Sequence, residues 1–334
     1  KHKAMKFKNI IGIDTGKKSI DFSFLENGEK KLLGQVENSI KKISTFLIGL
    51  KVNFKETLFC MEHTGIYNFH LLGVLQSHSA NIWLENPIQI KRSMGLTRGK
   101  NDKIDAIRIS EYAYLHQEKV KLWHPTRLVI QNLKLLMGQR SRLNKAKKLI
   151  EIPVVESKEF ITKEQHKLLK QNCKSTLAGI KKDLDMVTSQ IKTIIDSDDT
   201  LKELFSYVSS VPNVGLITAT AIIVSTNEFQ KIETARKFAC HAGVAPFEYT
   251  SGSSVRGKTR ISHMADKELK TVLHLATLSA ISRPGEFREY FVRKVKEGKN
   301  KMLVINAIRN KLIHRVFACV RDQRKYFKKD LTFA

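Results

Sequence analysis

Four carboxylates in the first third of the chain could hold a metal ion. Asp14 closes an apolar run, Ile10-Ile11-Gly12-Ile13, and Glu62 closes another, Thr57-Leu58-Phe59-Cys60-Met61. Asp102 and Asp105 lie in the stretch KNDKIDA, at the start of a predicted helix. Their i, i+3 spacing places both on one helical face. A carboxylate at the end of a buried strand is held rigidly and half-shielded from water, which suits a metal ligand better than a solvated loop does. Four carboxylates gathered without a cation repel one another and raise at least one pKa, so the set makes sense around Mg²⁺. Two such ions would activate an attacking oxygen and stabilise a leaving one in phosphodiester chemistry. Ordinary surface acids at strand and helix ends are the plainer alternative.

A hydroxyl is the second chemical candidate. The stretch 247–261 (FEYTSGSSVRGKTRI) reads as a polar loop between Pro246 and a helix start near Asp266. It carries Arg256, Lys258 and Arg260 among serines and glycines. A hydroxyl nucleophile wants such surroundings: cations to bind phosphate, and glycine to let a backbone approach. Ser251, Ser253, Ser254 and Tyr249 all compete for that role, and a serine that caps the next helix is the bland reading. No His–Ser pair is legible nearby, so the metal site or the surroundings of Arg256 or Lys258 would have to assist proton removal. His63 is next to Glu62 and points to the opposite face of its strand, so it is expected to pack or cap, as are His241 and His263. Trp83 and Trp123 read as core or hinge.

The elements that must position these groups follow from periodicity. Strand signals occur at 9–14, 20–25, 31–36, 57–61 and 81–85, and helix signals at 38–50, 66–78 and 103–116. Several strands followed by alternating strands and helices predict a mixed sheet covered on its faces, an α/β domain over 5–120. The basic stretch 89–100, with Arg98 and Lys100, reads as an approach to the Asp102–Asp105 helix and a nucleic-acid contact. Over 121–205 the pattern changes. Val129, Leu136, Leu143 and Ile150 recur every seven residues, and Leu177, Ile180, Leu184, Val187, Ile191 and Ile194 give three- and four-residue steps. This predicts two long antiparallel helices, a coiled-coil hairpin joined near Ile152-Pro153-Val154. The hairpin serves either as a spacer or as an arm for dimerisation or nucleic acid. From 206 to 330 a mostly helical domain is expected. Its Pro212-Asn213-Val214-Gly215 hairpin resembles a helix-hairpin-helix, whose free N–H groups face a phosphate.

Composition narrows the partners. The chain has 334 residues, 59 Lys and Arg against 32 Asp and Glu, and a net charge of +27. Such an excess repels itself in a compact state unless a polyanion neutralises it, which points to nucleic acid. An anionic membrane is the second choice, but no apolar run approaches the roughly 20 residues of a spanning helix. The four cysteines form no CxxC pair, which argues against a zinc knuckle and a disulfide framework and suits a reducing cytosol. No signal peptide is legible, and Met5 makes a natural start.

With these residues in hand, the chain resembles the IS110/IS1111 family of DEDD transposases, which includes the Piv-type DNA invertases. GIDTGKK, MEHTGIY and RGKNDKIDA carry the resemblance to the family's RuvC-like domain. SVPNVGLITATAII, FACHAGVAP and YTSGSSVRGKTRIS carry it to the family's transposase domain. The resemblance implies that Asp14, Glu62, Asp102 and Asp105 form a Mg²⁺ site, with two metals expected, and that Ser251 is the catalytic serine. It further implies a homo-dimer or tetramer guided by a non-coding RNA to donor and target DNA, in a prokaryotic cytoplasm at the nucleoid. Strand exchange would then pass through a 5′-phosphoserine. The family's Lys-x-Gly-Asn and Leu-Arg positions are here His263-Met264-Ala265-Asp266 and Leu269-Lys270, and the missing guanidinium weakens bidentate phosphate binding. Three other readings compete: a RuvC-type junction-resolving nuclease, an invertase without guide RNA, and a non-catalytic nucleic-acid-binding protein. A resolvase needs no nucleophilic side chain, and a binding protein does not need all four acids.

Overall fold

A computed structural model of the chain describes residues 7–26, 28–93, 102–251, 255–262 and 264–327; the side chains of 102–103, 247–251 and 255–260 are outside that description. The chain divides into two compact units, Lys1–Pro125 and Thr126–Ala334.

The first unit is the expected α/β domain. Five strands, β1 (Asn9–Thr15), β2 (Ser19–Glu26), β3 (Glu29–Glu37), β4 (Thr57–Glu62) and β5 (Asn81–Glu85), form one sheet in the order β3-β2-β1-β4-β5. The hairpins make β1, β2 and β3 antiparallel, while β4 and β5 run parallel to β1. Helices α1 (Ile40–Gly49), α2 (Phe69–Ser77), α3 (Pro87–Ser93) and α4 (Asp102–Leu115) complete it. Alternation along the strands divides the core in two. Ile11, Ile13, Phe59, Met61 and Ile82 pack with Ile43 and Leu47 of α1 and Leu71 and Leu75 of α2. Ile10, Leu58, Cys60 and Trp83 face the other way and pack with Ile109, Tyr112 and Ala113 of α4. Trp83 is a core residue.

One glycine sets how closely α4 lies on the sheet. A Cβ at Gly12 would stand 2.3 Å from the Ala106 carbonyl oxygen and 2.4 Å from the Ser110 amide nitrogen. Both are backbone atoms and cannot swing aside. Across from Gly12, the Ser23 hydroxyl donates to the Ala106 carbonyl at 2.7 Å and lies 3.1 Å from the Ser110 hydroxyl. Gly12→Ala is expected to force α4 away from β1. Overpacking of this kind costs about 3 kcal/mol, which lowers the melting temperature of a unit this size by roughly 10 °C. Calorimetry of the full chain measures it, and an unchanged melting profile would show that α4 is free to shift.

The second unit is helical apart from one hairpin. It contains α5 (Leu128–Glu156), α6 (Lys163–Asp196), α7 (Asp199–Ser209), α8 (Leu216–Thr226), α9 (Ala235–His241), strands β6 (Phe247–Ser251) and β7 (Val255–Arg260), then α10 (Lys267–Ser282), α11 (Glu286–Lys296) and α12 (Lys301–Arg321). Ile130 and Leu133 at the start of α5 share a core with Val187, Ile191 and Ile195 at the end of α6, so the two long helices run antiparallel. Their junction is not at 152–154. Pro153 lies inside α5, and the turn comes at 157–162. A proline loses its own N–H bond and crowds the carbonyl four residues back, yet α5 continues to Glu156, and the Ser157 N–H donates to the Pro153 carbonyl. The start of α6 fixes where the turn ends: Thr162 and Gln165 form a reciprocal cap there. The same core takes in α7, α8, α10 and α12, through Leu201, Ala219, Leu273 and Ile308 among others. α7 and α8 flank the Pro212–Gly215 turn, where Asn213 adopts a positive φ of 69°.

Candidate active site

Register brings the strand acids together. Ile13 pairs with Met61 across the parallel β1–β4 ladder, so Asp14 and Glu62 come next at neighbouring strand ends. Both belong to the face that carries Gly12 and Cys60, the face that α4 covers. Asp14 and Glu62 are half-buried.

α4 runs antiparallel to β1. Its Ala106 lies over Gly12, whereas Gln117, just beyond its end, accepts the Phe7 N–H at 2.7 Å ahead of the strand. The helix start, with Asp102 and Asp105, is therefore at the same end of β1 as Asp14. Asp105 pairs with Arg108 at 2.9 Å along its own helix. The Asp102 backbone begins α4, and its side chain lies outside the described residues, as do Arg98 and Lys100. Among the described residues, no three His, Cys, Asp or Glu side chains gather closely enough to hold a metal. The donor chemistry nevertheless fits a hard divalent cation: carboxylate oxygens, with no thiolate or imidazole required.

The structure adds a fifth acid that the sequence reading does not include. Asp21 is the β2 partner of Asp14 and so shares its face. It is 2% exposed; Gln35 Nε2 donates to its Oδ2 at 2.9 Å, and its Oδ1 has no hydrogen-bond partner. The signal is the alternation Ile20-Asp21-Phe22-Ser23-Phe24, which puts an acid at an inward position of the hairpin opposite Asp14. A buried carboxylate oxygen left unsatisfied is costly unless something positive approaches it, which adds to the fit of a cation here. Beneath the acids, burial first and then the charges of Glu85 and Glu62 push the Cys60 thiol well up, so it is a packed neutral thiol. Glu85 is held by the Tyr112 hydroxyl at 3.2 Å, and burial and Glu85 push that hydroxyl's pKa up. His63 acts locally: its Nδ1 accepts the Gly65 N–H at 3.3 Å.

In the second unit the stretch expected as a loop is a two-stranded hairpin. Ser251 ends β6 and pairs with Val255; Thr250 pairs with Arg256, and Phe247 with Arg260. Tyr249, Thr250, Val255 and Thr259 are aromatic or β-branched, which favours strands. Ser253 and Ser254 lie outside the described residues, as do the side chains of Tyr249, Ser251, Arg256, Lys258 and Arg260. Asp266 caps α10 by accepting the Leu269 N–H at 2.9 Å.

The chain matches two family models. One, described as the Transposase IS116/IS110/IS902 family, covers residues 206–292, and the other, the IS110-type DEDD transposases, covers residues 11–148. The chain belongs to the IS110 transposase family. A pilin gene-inverting protein of Moraxella bovis is 25% identical over 329 residues, covering 96% of this chain and 98% of its own length. The transposase of insertion sequence IS1533 from Leptospira borgpetersenii is 31% identical over 108 residues, 32% of this chain and 31% of its own. Among solved structures, Thermus thermophilus RuvC bound to a Holliday junction substrate aligns at 14% identity over 34% of this chain and 99% of its own, with a TM-score of 0.28. Of the two family models, one takes in the acids and most of α5, and the other takes in the hairpin that bears Ser251.

Proposed function

We propose that this IS110-family chain is an RNA-guided DNA recombinase that joins donor and target DNA through two chemical centres. The observation that carries the reading is the convergence of Asp14, Glu62 and the start of α4 on one face at one end of the sheet. Asp14, Glu62, Asp102 and Asp105 would hold Mg²⁺ there. Bound in that place, the ions supply Lewis-acid stabilisation of charge on phosphoryl oxygens.

Ser251 is proposed as the nucleophile. Its Oγ attacks the scissile phosphorus, a P–Oγ bond forms, and the P–O3′ bond breaks. The hydroxyl proton ends on the departing 3′-oxygen, by way of solvent. A 3′-hydroxyl from the other DNA then attacks the phosphoserine, releases Ser251 and seals the exchanged strand. Arg256, Lys258 and Arg260 would neutralise phosphate charge around the hairpin, and Arg98 and Lys100 would do so ahead of α4. The guide RNA would carry sequence by pairing, with the protein holding backbone and shape. A dimer or tetramer of the chain is the expected working form. Invertase action without a guide is the second reading, favoured by the near full-length likeness to a pilin gene-inverting protein.

One experiment separates these readings. Nucleic acid that co-purifies with the chain is sequenced, and strand joining is assayed with Mg²⁺, with EDTA, and after RNase treatment. Joining that needs both Mg²⁺ and RNA is expected. Joining that survives RNase favours the invertase, and release of cut DNA with no joined product favours a junction-resolving nuclease.

A further inference from the structure

Arg309 of α12 is 4% exposed. Its Nη2 donates to His274 Nδ1 at 2.8 Å and its Nη1 to Asn306 Oδ1 at 3.3 Å, while its Nε is buried without a partner. Lys270 is one helical turn before His274 on α10. Burial and then the charge of Arg309 push the Lys270 ammonium down from its ordinary pKa. Burial, Arg309 and Lys270 push His274 down in the same way. Among the described residues no carboxylate offsets these three groups. Arg127 and Arg315 of this unit are treated differently, since Arg127 bonds Asp198 and Glu228 and Arg315 bonds Glu286. Arg140 shares the buried unpartnered Nε but lies on α5, away from Lys270 and His274 in the chain. A buried guanidinium without a counter-charge is costly until an anion completes it.

The cluster's position says which anion. Asn306 Nδ2 donates to the Val244 carbonyl at 2.7 Å. A Cβ built on Gly243, whose φ is +62°, would lie 3.6 Å from both Lys270 Cδ and Ile261 Cδ1. Val244 leads through Pro246 into β6, and Ile261 comes directly after β7. The three basic groups are therefore at the root of the hairpin that ends in Ser251. At about 3.3 Å per residue, β6 separates root and serine by roughly 15 Å, about four base steps along a duplex.

We propose that Arg309, Lys270 and His274 form a phosphodiester-binding site that grips the DNA backbone a few nucleotides from the bond attacked at Ser251. The proposal rests on the recombinase reading. Arg309, whose Nη groups already donate to Asn306 and His274, fixes a buried positive charge behind the site, and the half-buried Lys270 adds a point charge that a phosphate can meet. His274 accepts through Nδ1, so as a neutral ring it carries its proton on Nε2, a further donor.

The test measures affinity for a 30-base-pair DNA duplex against salt concentration, for the full chain, Arg309→Met and Lys270→Gln. Each variant is expected to bind about tenfold more weakly, with a log–log salt slope smaller by about one. Arg309→Met is also expected to melt no lower than the parent, because it removes an uncompensated charge; a residue kept only for packing would lower it. Should Arg309→Met melt lower, Lys270→Gln decides alone. Unchanged affinity and slope in both variants overturn the proposal, and so does a loss confined to a matched single-stranded RNA. A parent chain that binds no duplex sinks the recombinase reading itself.

Discussion

Asp14→Ala combined with Asp102→Ala is expected to abolish strand joining and divalent-metal binding together. The two acids come from different elements, the end of β1 and the start of α4. Removing both leaves Glu62, Asp105 and the buried Asp21; Asp105 is already engaged by Arg108, and one oxygen of Asp21 by Gln35. A hard cation held by two carboxylates fewer falls back on water ligands and loses its fixed position. Losing Lewis-acid stabilisation removes several kcal/mol from the transition state, at least a roughly 10³-fold fall in rate. Calorimetric titration with Mn²⁺ reads the binding separately from the chemistry. Glu29→Ala, an exposed acid on β3, is the control and should change neither. Recombination by the double variant at the parent rate would refute the site.

The strand acids are legible because their signal is local. A carboxylate that ends an apolar run marks a strand terminus, and two such runs joined by a crossover become parallel neighbours with their ends level. Asp105 is legible from its place at a helix start. Asp21 shows in the sequence only as an inward acid of an alternating run; that it stands opposite Asp14 requires the register of the β1–β2 hairpin, which the turn and the hydrophobic pattern set together. Gly12 is a similar case. It reads as one more residue of the run Ile10 to Ile13, and only the placement of α4 against the sheet shows that a side chain there would meet backbone.

The second unit is less legible, for a related reason. Heptad spacing gives the two long helices, but Pro153 reads as the bend, whereas α5 carries it and runs on to Glu156. The charge pattern from Arg283 to Lys329 suggests a solvated basic face, and many of those residues are exposed. Arg309 is the exception. Nothing in its neighbours, Ile308 and Asn310, marks it as buried; what buries it is the packing of α12 against α10, a contact between helices far apart in sequence. Charge counted along a chain cannot distinguish a solvated cation from one enclosed and waiting for an anion.

Ser251→Ala is expected to remove covalent protein–DNA adducts completely while leaving metal binding intact. The substitution deletes one oxygen at the last residue of β6, where the backbone pairing with Val255 needs no side chain. Folding should therefore be unaffected, since nothing the backbone pairing needs is removed. Without Oγ no P–Oγ bond can form, so trapping with end-labelled DNA under denaturing conditions should show no shifted band. Adducts that persist would move the nucleophile to Ser253, Ser254 or Tyr249, and the same trapping on those variants identifies it. The serine and the acid variants fail for different reasons, which makes their mixture informative. If the working form is an oligomer with each centre supplied by whichever subunit retains it, an equimolar mixture of Asp14→Ala and Ser251→Ala chains recovers part of the joining that neither shows alone. Recovery of nothing would mean that one subunit must supply both centres, because mixed oligomers then never hold a complete set.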